Sequence, residues 1–326
     1  MTDPGLTRDH NEDTFLVADL ASTESQRTSE GSAHDISERG ALYLVADGMG
    51  GAAAGELASE MAATAIHHHM VETWLGDPEV TAERFTLHLR EAVEAANGSI
   101  HNYAREHPEV RGMGTTATVA GVWGDRLYLA QIGDSRGYLV RGGEAGQLTR
   151  DQSLTQRLVE VGELTEEEAE ASERRNIILQ ALGPDPRVNV DLSWQPLQRG
   201  DVLIICSDGL STMVRRDDIA SAVADEPDLR LLCKGLVDLA NARGGPDNIT
   251  IIAVRFDGDD LPDAADAEPG YHELLTTDDR PSLGPTLAFP AVPKPPTTRS
   301  GTPRGLVVAA FAVAFCIVVL ALVLTR

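Results

Sequence analysis

A chain of 326 residues has room for one large domain or two small ones, with a substantial core in either case. Its net charge of -24 at pH 7 repels phosphate backbones, which excludes nucleic acid as a partner unless a local basic patch exists, and the sequence has none. Cys206, Cys233 and Cys316 sit in apolar stretches without CxxC spacing, which points to a reducing compartment and away from a cysteine zinc site. The opening, Met1 to Asp13, is polar and acidic and does not read as a signal peptide. By itself this terminal stretch reads as a solvated turn, with Arg8, Glu12 and Asp13 as candidates for phosphate and metal-water contacts. Residues 22–39, rich in Ser, Glu and Gly, read as an exposed connection between two strands.

The sequence ALYLVADGMGG, from Ala41, runs an apolar β-forming stretch into Asp47-Gly48 and then into an alanine-rich segment, which predicts strand, sharp turn, helix. Apolar residues at helical spacing then predict helices over 55–74 and 82–106. The run His67-His68-His69 lies on the first of these. Consecutive helical residues point in different directions, so the run reads as a polar face rather than a ligand set. From Gly114 the pattern turns to β, with GTTATVAGVW, RLYLAQIG and RGYLVRGG as successive strands. Residues 151–183 form an excursion with two short helices and an acidic cluster, placed to cover a site. Strands at 188–194, 202–206 and 249–256, with helices from Asp217 and over 229–242, complete an α+β domain.

The pattern of Asp47 recurs. Asp134 follows the run 127–132, Asp208 follows 202–206, and Asp247 precedes 249–254. Any one Asp-Gly pair alone reads as turn chemistry. Four carboxylates at the ends of four strands are gathered most economically by one or two hard divalent cations, since oxygen ligands suit Mg²⁺ and Mn²⁺ and like charges otherwise repel.

Past the domain, residues 257–304 hold nine of the chain's 17 prolines and nine acidic residues, with no Lys or Arg through Asp279, a composition that predicts a disordered linker. Residues 305–325 predict a transmembrane helix: Leu306 to Leu324 is 19 uncharged apolar residues, about 28 Å long at helical rise. Lys294, Arg299 and Arg304 precede it and only Arg326 follows, so the positive-inside rule predicts a single-pass anchor in the cell membrane with the folded domain in the cytoplasm.

Six ordered motifs, RDHNED (8–13), VADGMGG (45–51), GMGTT (112–116), IGDSRGY (132–138), CSDGLS (206–211) and GPDNIT (245–250), make residues 6–256 resemble the bacterial type 2C family of metal-dependent serine/threonine protein phosphatases. The resemblance implies a catalytic domain over 1–256 with a flap at 151–183, built as a four-layer αββα sandwich of two antiparallel sheets flanked by helices. It implies that Asp47 bridges two Mn²⁺ or Mg²⁺ ions, that the Gly48 carbonyl contacts one of them, and that Asp208 and Asp247 complete the other ion's shell. Glu12 and Asp13 would act through water or hold the geometry, Arg8 would bind the substrate phosphate, and Asp134 with Asp208 would form a third, weaker metal site. The implied reaction is hydrolysis of phosphoserine and phosphothreonine in proteins by water activated between two ions, opposing bacterial serine/threonine kinases and acting on those kinases or their substrates.

The chain departs from the family pattern in three places. Met49 stands where some members carry a histidine proposed as general acid, the family's usual first strand has no obvious counterpart before Thr2-Asp3-Pro4-Gly5, and Gln152 lies where many bacterial members have His. Two other readings use the same residues. A two-metal phosphodiesterase or nuclease would want a basic groove, and a membrane-anchored, phosphatase-like scaffold or sensor would bind metal or phosphoprotein without turnover.

Overall fold

The computed structural model describes residues 1–21, 25–26, 35–172, 174–263 and 268–274. In chain order the elements are β1 (Thr2–Asp3), β2 (Asp13–Asp19), β3 (Ser25–Gln26), β4 (Ala41–Met49), α1 (Ala52–Thr73), α2 (Ala82–Glu106), β5 (Gly114–Thr115), β6 (Ala117–Trp123), β7 (Arg126–Ile132), β8 (Arg136–Arg141), β9 (Glu144–Gln147), α3 (Leu154–Glu160), α4 (Glu166–Glu170), β10 (Asp191–Pro196), β11 (Val202–Cys206), α5 (Asp208–Ser211), α6 (Arg216–Asp225), α7 (Leu229–Ala242) and β12 (Ile249–Arg255). They form two sheets, ordered β1-β12-β11-β8-β9 and β10-β7-β6-β4-β2-β3, with β5 paired to β4. Every strand pairing among the described residues is antiparallel.

The layering follows from the two-residue period of each strand. On β4, Leu42, Leu44 and Ala46 face α1 and α2, while Ala41, Tyr43 and Val45 face the other sheet. On β11, Val202, Ile204 and Cys206 face α5, α6 and α7, and Leu203 and Ile205 face inward. Both central strands are therefore apolar on both faces, which is why they read as unbroken apolar runs. Ala58, Ala62 and Ala63 on α1 are fully buried, and their small side chains let the helix lie close over β4. Thr81 caps α2 by accepting from the Arg84 amide, which starts that helix where the sequence predicts.

Two details differ from the sequence reading. Thr2–Asp3, expected as a solvated turn, pair with β12 as Thr2↔Thr250 and Asp3↔Ile249. The region expected to unfold from residue 257 instead continues to pack. Leu261 joins the core between the sheets, the Arg199 amide donates to the Pro262 carbonyl at 2.9 Å, and Glu273 bridges Ser193 on the edge strand β10. An acidic background hides a few apolar residues, and an open strand edge gives them backbone partners. The expected transmembrane helix and the rest of the expected linker lie outside the described residues, apart from 257–263 and 268–274. Among the described residues no helix is long and apolar enough to cross a membrane.

Candidate metal centre

The strands deliver the predicted carboxylates to one end of the sandwich. Asp13 and Asp47 are cross-strand partners on β2 and β4. Asp208 opens α5 immediately after β11, and Asp247 precedes β12, the antiparallel partner of β11. Asp134 follows β7 and is 6% exposed. Burial first, then the charges of Asp13, Asp208, Asp134 and Asp247, hold the Asp47 carboxyl well above the usual carboxylate range. Burial pushes Asp13 up to about 7, against hydrogen bonds from Thr250 and Ser207 that favour its charge. Burial with the charges of Asp208 and Asp151 pushes Asp134 up to about 8, and burial with the charge of Asp247 raises Asp208. One oxygen each of Asp13, Asp134 and Asp208 is buried without a hydrogen-bond partner. Buried acceptor oxygens without a donor, on carboxylates whose charges raise one another, fit a hard cation, and the all-oxygen donor set fits Mn²⁺ or Mg²⁺.

The backbone is held as firmly as the carboxylates. Asp47 N–H donates to Thr116 Oγ1 at 3.0 Å, and its carbonyl accepts from the Thr116 amide at 2.9 Å and from Thr115 Oγ1 at 2.9 Å. A Cβ on Gly48 would run into the Gly55 carbonyl and lie 2.6 Å from the Glu12 carbonyl, so only glycine lets β4 pass this close to α1. A Cβ on Gly55 would collide with the Glu12 carboxylate, which rests over that first turn of α1.

The segment 4–12 is fixed by Asn248. Its Oδ1 accepts from the Glu12 amide at 2.8 Å, and its Nδ2 donates to the carbonyls of Pro4 at 3.0 Å and His10 at 2.8 Å. Ser207 Oγ donates to Asp13 Oδ2 at 2.8 Å and accepts from the Thr250 amide at 3.0 Å. Asn248, Ser207, Thr115, Thr116 and Gly55 thus contact the candidate ligand residues or their backbone, and sequence reasoning did not single them out. The motifs containing the first four were visible, but their partners are distant in the chain.

Arg8 arrives at the rim. Its Nη2 donates to Asp247 Oδ2 at 2.8 Å, with the Arg8 side chain 52% exposed. That hydrogen bond, followed by the Asp247 charge, raises the guanidinium above its ordinary value. Met49 pairs with Gly114 in β5. Gln152 ties the base of the 151–183 excursion to the turn that carries Asp134: its Oε1 accepts from the Gly133 amide at 2.9 Å and from Gln180 Nε2 at 2.9 Å. Arg136 grips Asp151 through Nε and Nη2, the latter at 2.7 Å, and a cleft of about 400 Å³ opens beside them, bounded by Arg150, Arg157 and Asn189.

The family model described as Protein phosphatase 2C matches residues 29–234. The serine/threonine phosphatase stp of Listeria monocytogenes is 36% identical over 256 residues, covering 78% of this chain and 94% of that protein. The chain belongs to the protein phosphatase 2C family. The S. agalactiae serine/threonine phosphatase superposes on this phosphatase with a TM-score of 0.67 at 34% identity, covering 79% of this chain and 98% of that one. The catalytic domain of the serine/threonine protein phosphatase PstP, crystallised in complex with two manganese ions, gives a TM-score of 0.62 at 36% identity over 78% of this chain and 94% of that one. Asp47, Asp134 and Asp208 lie inside the family match, while Arg8, Glu12, Asp13 and Asp247 lie outside it.

Proposed function

We propose that this phosphatase 2C removes phosphate from phosphoserine and phosphothreonine in proteins, using Mn²⁺ or Mg²⁺ held at the carboxylate end of the sandwich. The observation that carries this reading is Asp47, half-buried and raised by the charges of Asp13, Asp208, Asp134 and Asp247, with Arg8 at the rim. Asp47, the Gly48 carbonyl, Asp208 and Asp247 would hold two ions, and Asp134 with Asp208 a third. Bound divalent ions supply Lewis acidity that makes water nucleophilic near neutral pH and offsets the negative charge of the phosphate.

The chain's own residues position and exclude. Arg8, held by Asp247 and half exposed, offers the outer edge of its planar guanidinium to the substrate phosphate. Glu12 and Asp13 keep acceptor oxygens at the edge of the centre, with Asn248 and Ser207 fixing where those oxygens sit. With Met49 in β4, no side-chain acid from that position serves the leaving oxygen, which takes its proton from water. The apolar run 306–324 would anchor the enzyme in the cell membrane with this domain in the cytoplasm, within reach of serine/threonine kinases and their substrates.

The full chain is expected to release phosphate from a phosphothreonine peptide with Mn²⁺, to stop in EDTA, and to leave a phosphotyrosine peptide largely intact. Absence of turnover while Mn²⁺ still binds would replace the enzyme with a phosphatase-like scaffold. Deleting residues 305–326 is expected to release the chain from membranes, and retention there would remove the anchor.

A further inference from the structure

The His67-His68-His69 run does not act as a unit, but one member of it meets residues of the neighbouring helix. His69, near the end of α1, and His88 and Glu91, on α2, each bring one donor atom within 4.8 Å of the others. His88 Nδ1 lies 3.5 Å from Glu91 Oε2, and His69 Nε2 lies 4.0 Å from the same oxygen. Both nitrogens are buried and lack a hydrogen-bond partner.

The protonation of His88 follows from its other nitrogen. His88 Nε2 lies 2.7 Å from Asp77 Oδ2, and Asp77 also accepts from Arg84 Nε at 2.8 Å and from the Glu79 amide at 2.9 Å. A carboxylate ringed by donors and paired with Arg84 accepts and does not donate, so the imidazole proton sits on Nε2. In the neutral ring this leaves a bare lone pair on Nδ1. His88 is 6% exposed, so water does not reach that lone pair freely, and what faces it is a carboxylate oxygen and a second imidazole nitrogen. Three ligand atoms thus converge with no hydrogen-bond partner for either imidazole nitrogen, an arrangement that a cation at their centre stabilises.

We propose that His69, His88 and Glu91 form a separate metal site for a borderline divalent ion such as Zn²⁺, clamping the end of α1 to α2. Tetrahedral zinc with imidazole ligands spaces its donor atoms by about 3.3 Å, so the observed separations close on an ion with small side-chain rotations. Two imidazoles and one carboxylate select Zn²⁺ or Co²⁺ over Mg²⁺ and Mn²⁺, the reverse of the all-oxygen centre at Asp47. Asp77 supplies the outer carboxylate that orients a metal-binding histidine. Glu91 is 45% exposed, which gives the ion a path in and leaves the fourth position to water.

The test titrates the metal-stripped full chain with Co²⁺ in excess Mg²⁺, which keeps the oxygen-ligand centre filled. A low-coordinate nitrogen-containing Co²⁺ site absorbs strongly in the visible, whereas an octahedral oxygen site absorbs weakly. One equivalent of the strong band, displaced by Zn²⁺, is expected. His69→Ala and Glu91→Gln, at partly exposed positions that leave the metal-free fold intact, should each weaken binding more than about 100-fold, and Asp77→Asn by about 10- to 100-fold. His67→Ala and His68→Ala should leave it unchanged. No strong band, a band that survives both His69→Ala and Glu91→Gln, or equal loss in His67→Ala would overturn the assignment.

Discussion

Asn248 offers the sharpest test of how this fold builds its centre, because it touches no reacting group and yet holds the segment that carries Arg8, Glu12 and Asp13. Replacing it by Ala removes three hydrogen bonds, to the Glu12 amide and to the carbonyls of Pro4 and His10. At about 1 kcal/mol net for each, the loss is about 3 kcal/mol. For a domain of this size each kcal/mol moves the midpoint by about 2–4 °C, so the expected drop is about 6–12 °C. Arg8 and Glu12 also lose their fixed places, and a displacement on the order of 1 Å lowers kcat/KM on the order of 100-fold. Asn248→Asp keeps the acceptor for the Glu12 amide and, while protonated, one of the two donors, so it should fall between wild type and Asn248→Ala at low pH and fall further as its carboxyl ionises and the last donor is lost. Differential scanning fluorimetry beside peptide kinetics reads both effects. A midpoint within about 2 °C of wild type, with kcat/KM within about threefold, would refute the idea that this side chain organises the segment.

Further outcomes follow from other contacts. Gly48→Ala drives a methyl group into the Gly55 and Glu12 carbonyls and should reduce turnover more than about 100-fold, a result that wild-type kinetics from a folded Ala variant would contradict. Asp201→Ala takes from the buried Arg141 its counter-charge, to which Nε and Nη2 donate at 2.8 and 2.7 Å, and should cost about 3–5 kcal/mol in denaturant unfolding with little change in turnover per folded molecule. The metal-free protein should lose stability as pH rises. Asp13 and Asp134 titrate at about 7 and about 8 in the folded chain against an ordinary 3.8, so the folded state holds extra protons between about pH 4 and 8. Their contribution is full below about pH 4 and is lost through that window. Melting in EDTA should therefore fall between about pH 5 and 8, and Mn²⁺ should flatten the trend. A metal-free midpoint that rises over this range would contradict the sign.

The carboxylates at Asp47, Asp134, Asp208 and Asp247 were legible because each abuts a strand whose apolar run is unmistakable, and a buried strand fixes the position of the residue at its end. The helices over 82–106 and 229–242 were legible from their single apolar faces, and α1 starts three residues before its predicted position because alanines continue the helix back to Ala52. What the sequence did not disclose is long-range. Asn248 reaches Glu12 across 236 residues, and Ser207 reaches Asp13 across 194, so neither pairing leaves a local signal. The packing of Tyr271 and Leu274 on β10 was hidden for a different reason. A window dominated by acidic and proline residues reads as unable to fold, although the Tyr271 hydroxyl donates to Asp191 at 2.8 Å and the Leu274 amide to the Leu192 carbonyl at 2.8 Å. His69 was passed over because its neighbours in sequence are poor co-ligands, while its partners lie on the next helix.

The central claim, that Asp47 and its neighbouring carboxylates hold the ions that the reaction needs, is tested most directly by counting Mn²⁺. Equilibrium binding on the His69→Ala chain confines the count to the oxygen-ligand centre, and phosphate release is measured on the same samples. The account predicts that at least two Mn²⁺ bind this chain, that Asp47→Asn loses both together with turnover, and that Asp208→Asn loses at least one and turnover with it. An Asp47→Asn chain that keeps its full complement of Mn²⁺ and hydrolyses the phosphothreonine peptide at the parent rate would contradict it.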